Sequence, residues 1–187
     1  MAAAVAVLVA VSAMQSTTAL LASTRAARHG SPPRACSALD DTSLMRAALE
    51  QAELARQQGE VPVGAVLVSP SGEVIAAARN QVETLSDASA HAEMLCLREA
   101  ARKTQNWRLH GATMYCTLEP CAMCLAAMQA FRIERLVYGA PDLRLGAVES
   151  WVELLEHRHP FHTLDVRGGV LADDAAAMMR EFFASRR

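Results

Sequence analysis

The sequence predicts an α/β fold of three layers, in which a mixed sheet is covered by helices on both faces. Helical and extended segments alternate from about residue 43 to the end of the chain. The extended segments are short and apolar, as expected of strands in a sheet that is covered on both faces. The helical segments repeat their apolar residues at helical spacing, so each can pack against the sheet.

The first helix and a β-hairpin are predicted before residue 80. Apolar residues recur at helical spacing from Ser43 onward, and Gly59 ends this run as a C-cap glycine would. A short apolar strand is predicted at residues 63–68. A turn at residues 71–72 then connects it to a hairpin partner at residues 73–78.

The elements after the hairpin alternate between helix and strand. The polar residues up to Asp87 predict a loop, and a helix is predicted at residues 90–103 with Ser89 as its N-cap. The remaining strands are predicted at Thr113–Leu118, 135–138 and 164–166, and the remaining helices at 121–131, 148–156 and Ala172–Ala184. This order is typical of a sheet with helices on both sides.

The N-terminal segment does not resemble part of a folded core. No charged residue occurs before Arg25, and no acidic residue occurs before Asp40. The apolar run at residues 2–14 is shorter than the roughly 20 residues that a membrane span needs. The segment that follows is rich in Ser, Thr, Ala and Arg, which is typical of transit peptides. We predict a targeting leader and linker at residues 1–40 and a folded domain at residues 41–187.

The leader resembles a two-part plastid-targeting leader, which predicts the plastid stroma as the location of the mature protein. The alternatives are a simple mitochondrial or chloroplast presequence, a secretory signal and a membrane anchor, and a cytoplasmic location is a further one. No cation precedes the apolar run, which disfavours each of these leader types. No membrane association is expected of the mature form.

The overall charge does not favour binding to a polyanion. The chain carries 18 basic and 20 acidic residues, and its formal net charge is −2. Binding of a nucleic acid would therefore depend on a local basic surface. The arginines that could form one are Arg132, Arg135, Arg144, Arg180, Arg186 and Arg187.

Two short motifs carry the residues for metal chemistry. Cys121 and Cys124 are three residues apart at a predicted helix start, so both thiols lie on one helix face and can share a zinc ion. Pro120 before them suits the first helical position. His91 is the natural third ligand, which leaves the fourth zinc position for water. Glu93, two residues further on, is placed to be the general base for that water.

The cysteines and histidines also fit functions other than a catalytic zinc site. A Cys-x-x-Cys pair also occurs in redox centres and as half of a structural zinc site. Cys96 and Cys116 each lie alone in an apolar element and are predicted to be buried, while Cys36 falls in the linker. No disulfide framework is indicated. His157, His159 and His162 form a loose group for which surface or substrate contacts are favoured over metal binding.

His-x-Glu followed by Pro-Cys-x-x-Cys is the signature of the zinc-dependent nucleoside and base deaminases. The sequence resembles the bacterial-type tRNA-specific adenosine deaminases of the cytidine and deoxycytidylate deaminase superfamily over residues 44–187. The matching segments are residues 60–66, Asn80, residues 91–93, residues 117–121 and residues 139–142. The loop after Asp142 is more apolar than the bacterial pattern.

The resemblance implies a cytidine-deaminase-like fold with a five-stranded mixed sheet, a zinc ion in each subunit and a homodimer with active sites near the interface. It implies that an adenosine at the anticodon wobble position enters the zinc pocket, where Asn80 and Ala92 contribute to substrate binding. Asp142 and Phe183 are expected near the flanking anticodon nucleotides. The anticodon stem-loop of a tRNA, by family resemblance an arginine tRNA, is then the partner.

The expected reaction is hydrolytic deamination of adenosine to inosine, with Glu93 as the proton shuttle and residues 41–187 as the catalytic domain. The alternative is a zinc-dependent deaminase of a free base or nucleotide such as guanine, cytosine or deoxycytidylate. An inactive RNA-binding partner subunit is disfavoured because such subunits usually lack the glutamate that is present here as Glu93.

Overall fold

The computed structural model describes residues 40–157 and 159–186. The predicted leader up to residue 39 lies outside the described residues, as does Arg187. Within the described part the elements follow in the order α1 (Asp41–Gln57), β1 (Gly64–Val68), β2 (Val74–Arg79), α2 (Val82–Leu85), α3 (Ala92–Thr104), β3 (Thr113–Leu118), α4 (Ala122–Phe131), β4 (Arg135–Ala140), a 3-10 turn (Leu154–Glu156), β5 (Asp165–Arg167) and α5 (Ala172–Ala184).

The described residues form a five-stranded sheet with the order β2-β1-β3-β4-β5. Strand β1 pairs antiparallel with both β2 and β3, whereas β3 with β4 and β4 with β5 pair in parallel. The sheet is therefore mixed, which confirms the predicted fold class. The parallel pair β3 and β4 is joined by α4, as a parallel connection requires a crossover.

Both faces of the sheet are buried because successive strand residues point to opposite sides. In β1, Ala65 and Leu67 pack in the core that also contains residues of α3 and α4, while Val66 and Val68 pack against α1. All five residues of β1 are buried. The prediction of three layers is confirmed, and the continuous apolar run of β1 reflects this two-sided burial.

The first residues of three helices differ from the predictions. Asp40 caps α1 through a 2.7 Å bond from the Ser43 amide to its carboxylate, so this helix begins at Asp41, not at Ser43. Ser89 is not the N-cap of α3, because its amide and hydroxyl donate to the carboxylate of Asp87. Pro120 is not the first residue of α4, because it lies before the N-cap residue.

The N-cap positions of α3 and α4 are instead occupied by His91 and Cys121. Neither side chain makes a capping hydrogen bond to its own helix. Both residues have the extended backbone that is usual at an N-cap position. The imidazole and the thiol thereby remain available for contacts with each other.

Three further elements differ from the predictions, two in kind and one only in its end. The predicted helix at residues 148–156 is reduced to the 3-10 turn at its end, because the amides of Val148 and Glu149 donate to the carboxylate of Glu119. A single helical turn, α2, occupies part of the predicted polar loop before Asp87. The fourth strand extends beyond position 138, because Ala140 pairs with Leu118 of β3.

Hydrogen bonds to the Asp41 carboxylate attach helix α1 to the sheet. Asp41 accepts from the Tyr115 hydroxyl at 2.9 Å and from two nitrogens of Arg135 at 2.9 and 2.8 Å, and it pairs with Arg167. These bonds, above all those from Arg135, lower the pKa of Asp41 from 3.8 to about 2. Arg135 is therefore engaged with acidic residues and does not form a free basic surface.

The depressed pKa of Asp41 predicts a pH-dependent stability. The pKa of this carboxylate is lower in the folded protein than in the unfolded chain. Such a group stabilises the fold fully when the pH is above the unfolded-state pKa, and this stabilisation is lost as the pH falls through the folded-state pKa. We expect Asp41→Asn to lower the free energy of unfolding by about 2 kcal/mol at pH 7. Urea unfolding of both proteins is expected to show this difference shrinking between about pH 4 and pH 2. A difference that stays constant with pH would contradict the assignment.

Candidate metal centre and active site

The starts of α3 and α4 bring together one imidazole and two thiols. His91 Nδ1 lies 3.7 Å from Cys121 Sγ and 3.6 Å from Cys124 Sγ. The three possible ligand atoms all lie within 4.8 Å of one another. The predicted set of ligands is therefore assembled in space although His91 is separated from the thiols by 30 and 33 residues.

The electrostatics of the group favour binding of a soft or borderline cation. A hydrogen bond from the Cys124 thiol, opposed by burial, lowers the pKa of Cys121 to about 4. The same bond raises the pKa of Cys124, and a hydrogen bond to Cys121 raises the pKa of His91. The protonation states of the two thiols and the imidazole therefore depend on one another, and metal binding would displace the protons that they hold. A zinc ion that replaced these protons would be held by two thiolates and a neutral imidazole.

Glu93 lies beside this group and is 4 % exposed. Within residues 40–157 and 159–186, its Oε2 atom has no hydrogen-bond partner. Burial is the main cause that raises the pKa of Glu93 above its usual value. A buried polar atom without a partner is costly, so it marks a place where a bound molecule is expected. The donor set and this orphaned oxygen together fit a zinc ion with an open position.

The ligands open into a cavity of about 270 Å³. His91, Glu93 and Cys121 line it, and so do the predicted substrate residues Asn80, Asp142 and Phe183. Ala92 is not among its lining residues, because its side chain is completely buried in the core. Cys124 is also fully buried and lies behind the cavity surface, within reach of His91, so every predicted site residue except Ala92 and Cys124 lines this one space.

A second cavity of about 460 Å³ adjoins the first and shares five of its lining residues, including Asp142, Arg144 and Phe183. The guanidinium carbon of Arg144 lies 5.5 Å from the centre of the Phe183 ring. Arg180 also lines this second cavity. Of the six candidate arginines, Arg144 and Arg180 are the ones that the described cavities place beside the site.

Sequence reasoning missed two buried carboxylates that line the cavity. Glu60 is 1 % exposed and accepts from the Asn80 side chain at 3.1 Å and from the Thr84 amide and hydroxyl at 2.7 and 2.8 Å. Glu119 is 2 % exposed and accepts from backbone amides of the loop after β4. In the sequence, each of these glutamates is marked only by its neighbours, which are apolar residues and a nearby proline.

The remaining cysteines and histidines of the described chain do not form a second metal centre. Cys96 and Cys116 are fully buried, and burial raises the pKa of both, that of Cys96 to about 12. His162 hydrogen-bonds to the Ile133 carbonyl, and His159 contacts the Phe161 ring edge-on. Among the residues that the structure describes, one group only could hold a metal ion. Cys36 lies outside them.

The fold and the ligand geometry define a zinc-dependent deaminase. A family model described as "Cytidine and deoxycytidylate deaminase zinc-binding region" matches residues 38–140, which is more than half of the chain. The chain therefore belongs to this family, and its cofactor is zinc. Within the family, similarity over most of the chain places it among the tRNA-specific adenosine deaminases.

The sequence is 44 % identical to the tRNA-specific adenosine deaminase of Haemophilus influenzae over 147 residues, which cover 79 % of this chain and 85 % of that protein. It is also 44 % identical to the chloroplastic tRNA(adenine(34)) deaminase of Arabidopsis thaliana over 162 residues, covering 78 % of this chain. The match spans only 12 % of the length of that plant protein.

A solved structure from a study of A-to-I editing by tRNA:A34 deaminases superimposes with a TM-score of 0.70 at 44 % identity. The match covers 73 % of this chain and 99 % of that one. A more distant structure, guanine deaminase from Nitrosomonas europaea, has a TM-score of 0.66 at 25 % identity and covers 83 % and 94 % of the two chains. The shared fold thus extends to enzymes for free bases, while the higher identity is to the tRNA enzymes.

Of the described helices, none has the length and hydropathy to cross a bilayer.

Proposed function

We propose that this protein deaminates adenosine to inosine at the wobble position of a tRNA anticodon. The observation that carries the proposal is the buried, unpartnered Glu93 oxygen beside a His-Cys-Cys group in a cavity large enough for a purine. The chain shares 44 % identity with a tRNA-specific adenosine deaminase over most of its length. Water and adenosine are consumed, and inosine and ammonia are formed.

His91, Cys121 and Cys124 would hold the zinc ion through one nitrogen and two sulfur atoms. A zinc ion bound there would lower the pKa of a bound water, so that this water could act as a nucleophile near neutral pH. The positive N-terminal end of α4 lies at Cys121 and favours its thiolate form. Because these helices are packed in the core, the ligand atoms are held before the metal binds.

Glu93 is the proton carrier of the proposed reaction. Its carboxylate takes one proton from the attacking water and gives it to a ring nitrogen of adenine. It then takes the second proton from the hydroxyl group now on the attacked carbon and gives it to the amine, which leaves as ammonia while the hydroxyl oxygen becomes the carbonyl of inosine. The burial that raises the pKa of Glu93 helps it to hold a proton between these steps. Its free Oε2 atom is the group available to the water and the base.

Asn80 is proposed to orient the target nucleoside. Its side chain lies in the cavity wall, and its Nδ2 group donates to the buried carboxylate of Glu60, which fixes the plane of the amide. Asp142 and Phe183 lie further along the cavity wall, and we propose that they face the neighbouring anticodon nucleotides. Phe183 is 37 % exposed, so a base can stack on its ring. The contribution of Ala92 to substrate binding remains a prediction.

Replacement of Asn80 tests its part in substrate binding. We expect Asn80→Ala to lower kcat/KM for a wobble-adenosine stem-loop by roughly tenfold, because one hydrogen bond to the nucleoside is lost. Zinc content is expected to stay at the wild-type level. Asn106→Ala, at an exposed loop position, is the matched control. Equal kcat/KM values for Asn80→Ala and wild type would remove Asn80 from the site.

We propose that the protein acts as a homodimer in the plastid stroma, with residues 1–40 as the targeting leader and linker and residues 41–187 as the catalytic domain. The chloroplastic relative from Arabidopsis thaliana supports this location. Asp40 caps α1, so processing is expected to leave Asp40 in the mature chain. Sedimentation of the mature protein and imaging of residues 1–40 fused to a fluorescent protein test the two points.

A substrate comparison tests the proposed function. The protein without residues 1–39 is incubated separately with an anticodon stem-loop carrying adenosine at the wobble position and with guanine, cytosine and deoxycytidylate. We expect inosine and an equal amount of ammonia from the stem-loop and no ammonia from the small molecules. Ammonia from a free base or nucleotide alone would assign the protein to small-molecule metabolism. No ammonia from any substrate would favour an inactive partner subunit.

A further inference from the structure

Glu119 has an arrangement of hydrogen bonds that the proposed chemistry does not use. It follows the last residue of β3 and is 2 % exposed. Its Oε1 atom accepts from the amides of Val148, Glu149 and Ser150 at 3.0, 2.9 and 3.1 Å. Its Oε2 atom accepts from the Asp142 amide at 3.0 Å and from the Ser150 hydroxyl.

All five donors belong to the loop at residues 142–150, here named the β4 loop. Four of them are backbone amides, and the described residues place no cation in a salt bridge with Glu119. A carboxylate can accept at several lone-pair positions, so one side chain can bond both ends of the loop at once. The described loop is therefore wrapped around a single buried carboxylate.

Additional contacts tie the β4 loop to the start of the ligand helix. The Ala147 amide donates to the Pro120 carbonyl at 2.9 Å, and Gly146 forms a β-bridge with Cys121. A Cβ atom at Gly146 would collide with Glu119 Oε2 and approach the Asp142 carbonyl to 2.6 Å. A glycine at this position thus lets the loop lie directly against the carboxylate.

The β4 loop forms one wall of the zinc cavity. Asp142, Arg144 and Leu145 line that cavity from the loop side. The side chains of Arg144 and Leu145 are exposed and are not held by core packing. Their positions therefore depend on the backbone of the loop, and this backbone is held by Glu119.

We propose that Glu119 is a positioning residue for the substrate, which fixes the β4 loop against the zinc cavity and thereby sets the affinity for the RNA. It does not touch the reacting atoms. The effect on substrate affinity rests on the proposed function, while the effect on the loop does not. Loss of the carboxylate is expected to release the loop and leave the His-Cys-Cys group in place.

Glu119→Gln is the first variant for the test, because it keeps the size of the side chain and replaces one acceptor oxygen by a donor. We expect KM for the anticodon stem-loop to rise roughly tenfold, because several bonds to a charged acceptor are lost, whereas kcat changes less than about threefold. Zinc content is expected to equal that of the wild type. Trypsin is expected to cleave after the exposed Arg144 faster than in the wild type.

Two further variants keep the test decisive. Glu50→Gln removes an exposed carboxylate of α1 and is expected to have wild-type KM and wild-type cleavage. Gly146→Ala pushes the loop away from Glu119 and is expected to reproduce the higher KM and the faster cleavage after Arg144, even if Glu119→Gln does not fold. If Glu119 only stabilised the fold, its replacement would lower the unfolding temperature and leave the KM of the folded protein unchanged.

Failure of the proposed function and failure of the positioning role of Glu119 would give different results. A wild-type protein that forms no inosine from the stem-loop would contradict the proposed function, and the trypsin comparison would still report on the loop. Wild-type inosine formation combined with unchanged KM and unchanged cleavage in Glu119→Gln or Gly146→Ala would overturn the positioning role.

Discussion

Replacement of Glu93 by glutamine or alanine is expected to lower kcat by at least two to four orders of magnitude, the range about 10² to 10⁴ that general acid–base catalysis contributes. The reason is that Glu93 is the buried carboxylate with a free oxygen at the His-Cys-Cys group. Glutamine has nearly the same shape but cannot take the proton of the attacking water. Inosine formation under single-turnover conditions measures the effect.

The Glu93 variants also distinguish catalysis from folding. Zinc content and binding of the stem-loop are expected to stay at wild-type levels, because Glu93 is not a proposed ligand of the metal. Glu99→Gln, at a partly exposed position of the same helix, is the matched control and is expected to retain turnover. If Glu93→Gln retained its turnover, Glu93 would be a structural residue, and another group would have to carry the proton.

Loss of a zinc ligand is expected to abolish both metal binding and activity. In Cys121→Ala or His91→Ala, two ligands remain of the three that the site assembles. Zinc binding at such sites is worth on the order of 10 kcal/mol, so removal of a ligand is expected to empty the site at ordinary zinc concentrations. We expect zinc per chain to fall from about one to near zero, together with a lower unfolding temperature.

Cys96→Ala provides the matched control for the ligand variants. Cys96 is as buried as Cys124, and it lies on the same helix as Glu93, but it is not in the metal group. We expect this variant to keep its zinc and to lose about 1 kcal/mol of stability, as is usual for a small change in a core. Full zinc occupancy in Cys121→Ala, measured by elemental analysis, would contradict the assignment of the ligands.

The ligand residues could be predicted because their signal is local. Cys121 and Cys124 are separated by one helical turn, and His91 and Glu93 share another helix start. The strands were predictable for a similar reason, since the run of five buried residues in β1 is visible in the sequence itself. Local spacing determines which side chains share a face, whatever the rest of the chain does.

The helix starts and the β4 loop could not be predicted because they depend on distant partners. Ser89 satisfies the sequence pattern of an N-cap, but Asp87 binds it, and His91 takes the cap position. Residues 148–150 have helical spacing, but their amides bond to Glu119, which is 29 to 31 residues away. Propensity is a weak guide where a buried charged group competes for the backbone.

The buried glutamates illustrate the same limit at the functional site. Glu60 and Glu119 each line the cavity, and each holds a neighbouring segment through several donors. Their sequence context marks them only as acids beside apolar residues. Their partners become evident once the β4 loop and the turn α2 are placed in space.

Zinc K-edge X-ray absorption on the purified protein shows which atoms surround the metal. We expect about one zinc per chain with two sulfur neighbours, from Cys121 and Cys124, and nitrogen or oxygen for the rest. The sulfur signal is expected to halve in a Cys124→Ala protein that is loaded with excess zinc. Protein without bound zinc, or zinc surrounded by four sulfur atoms, would mean that His91, Cys121 and Cys124 do not form a catalytic zinc site.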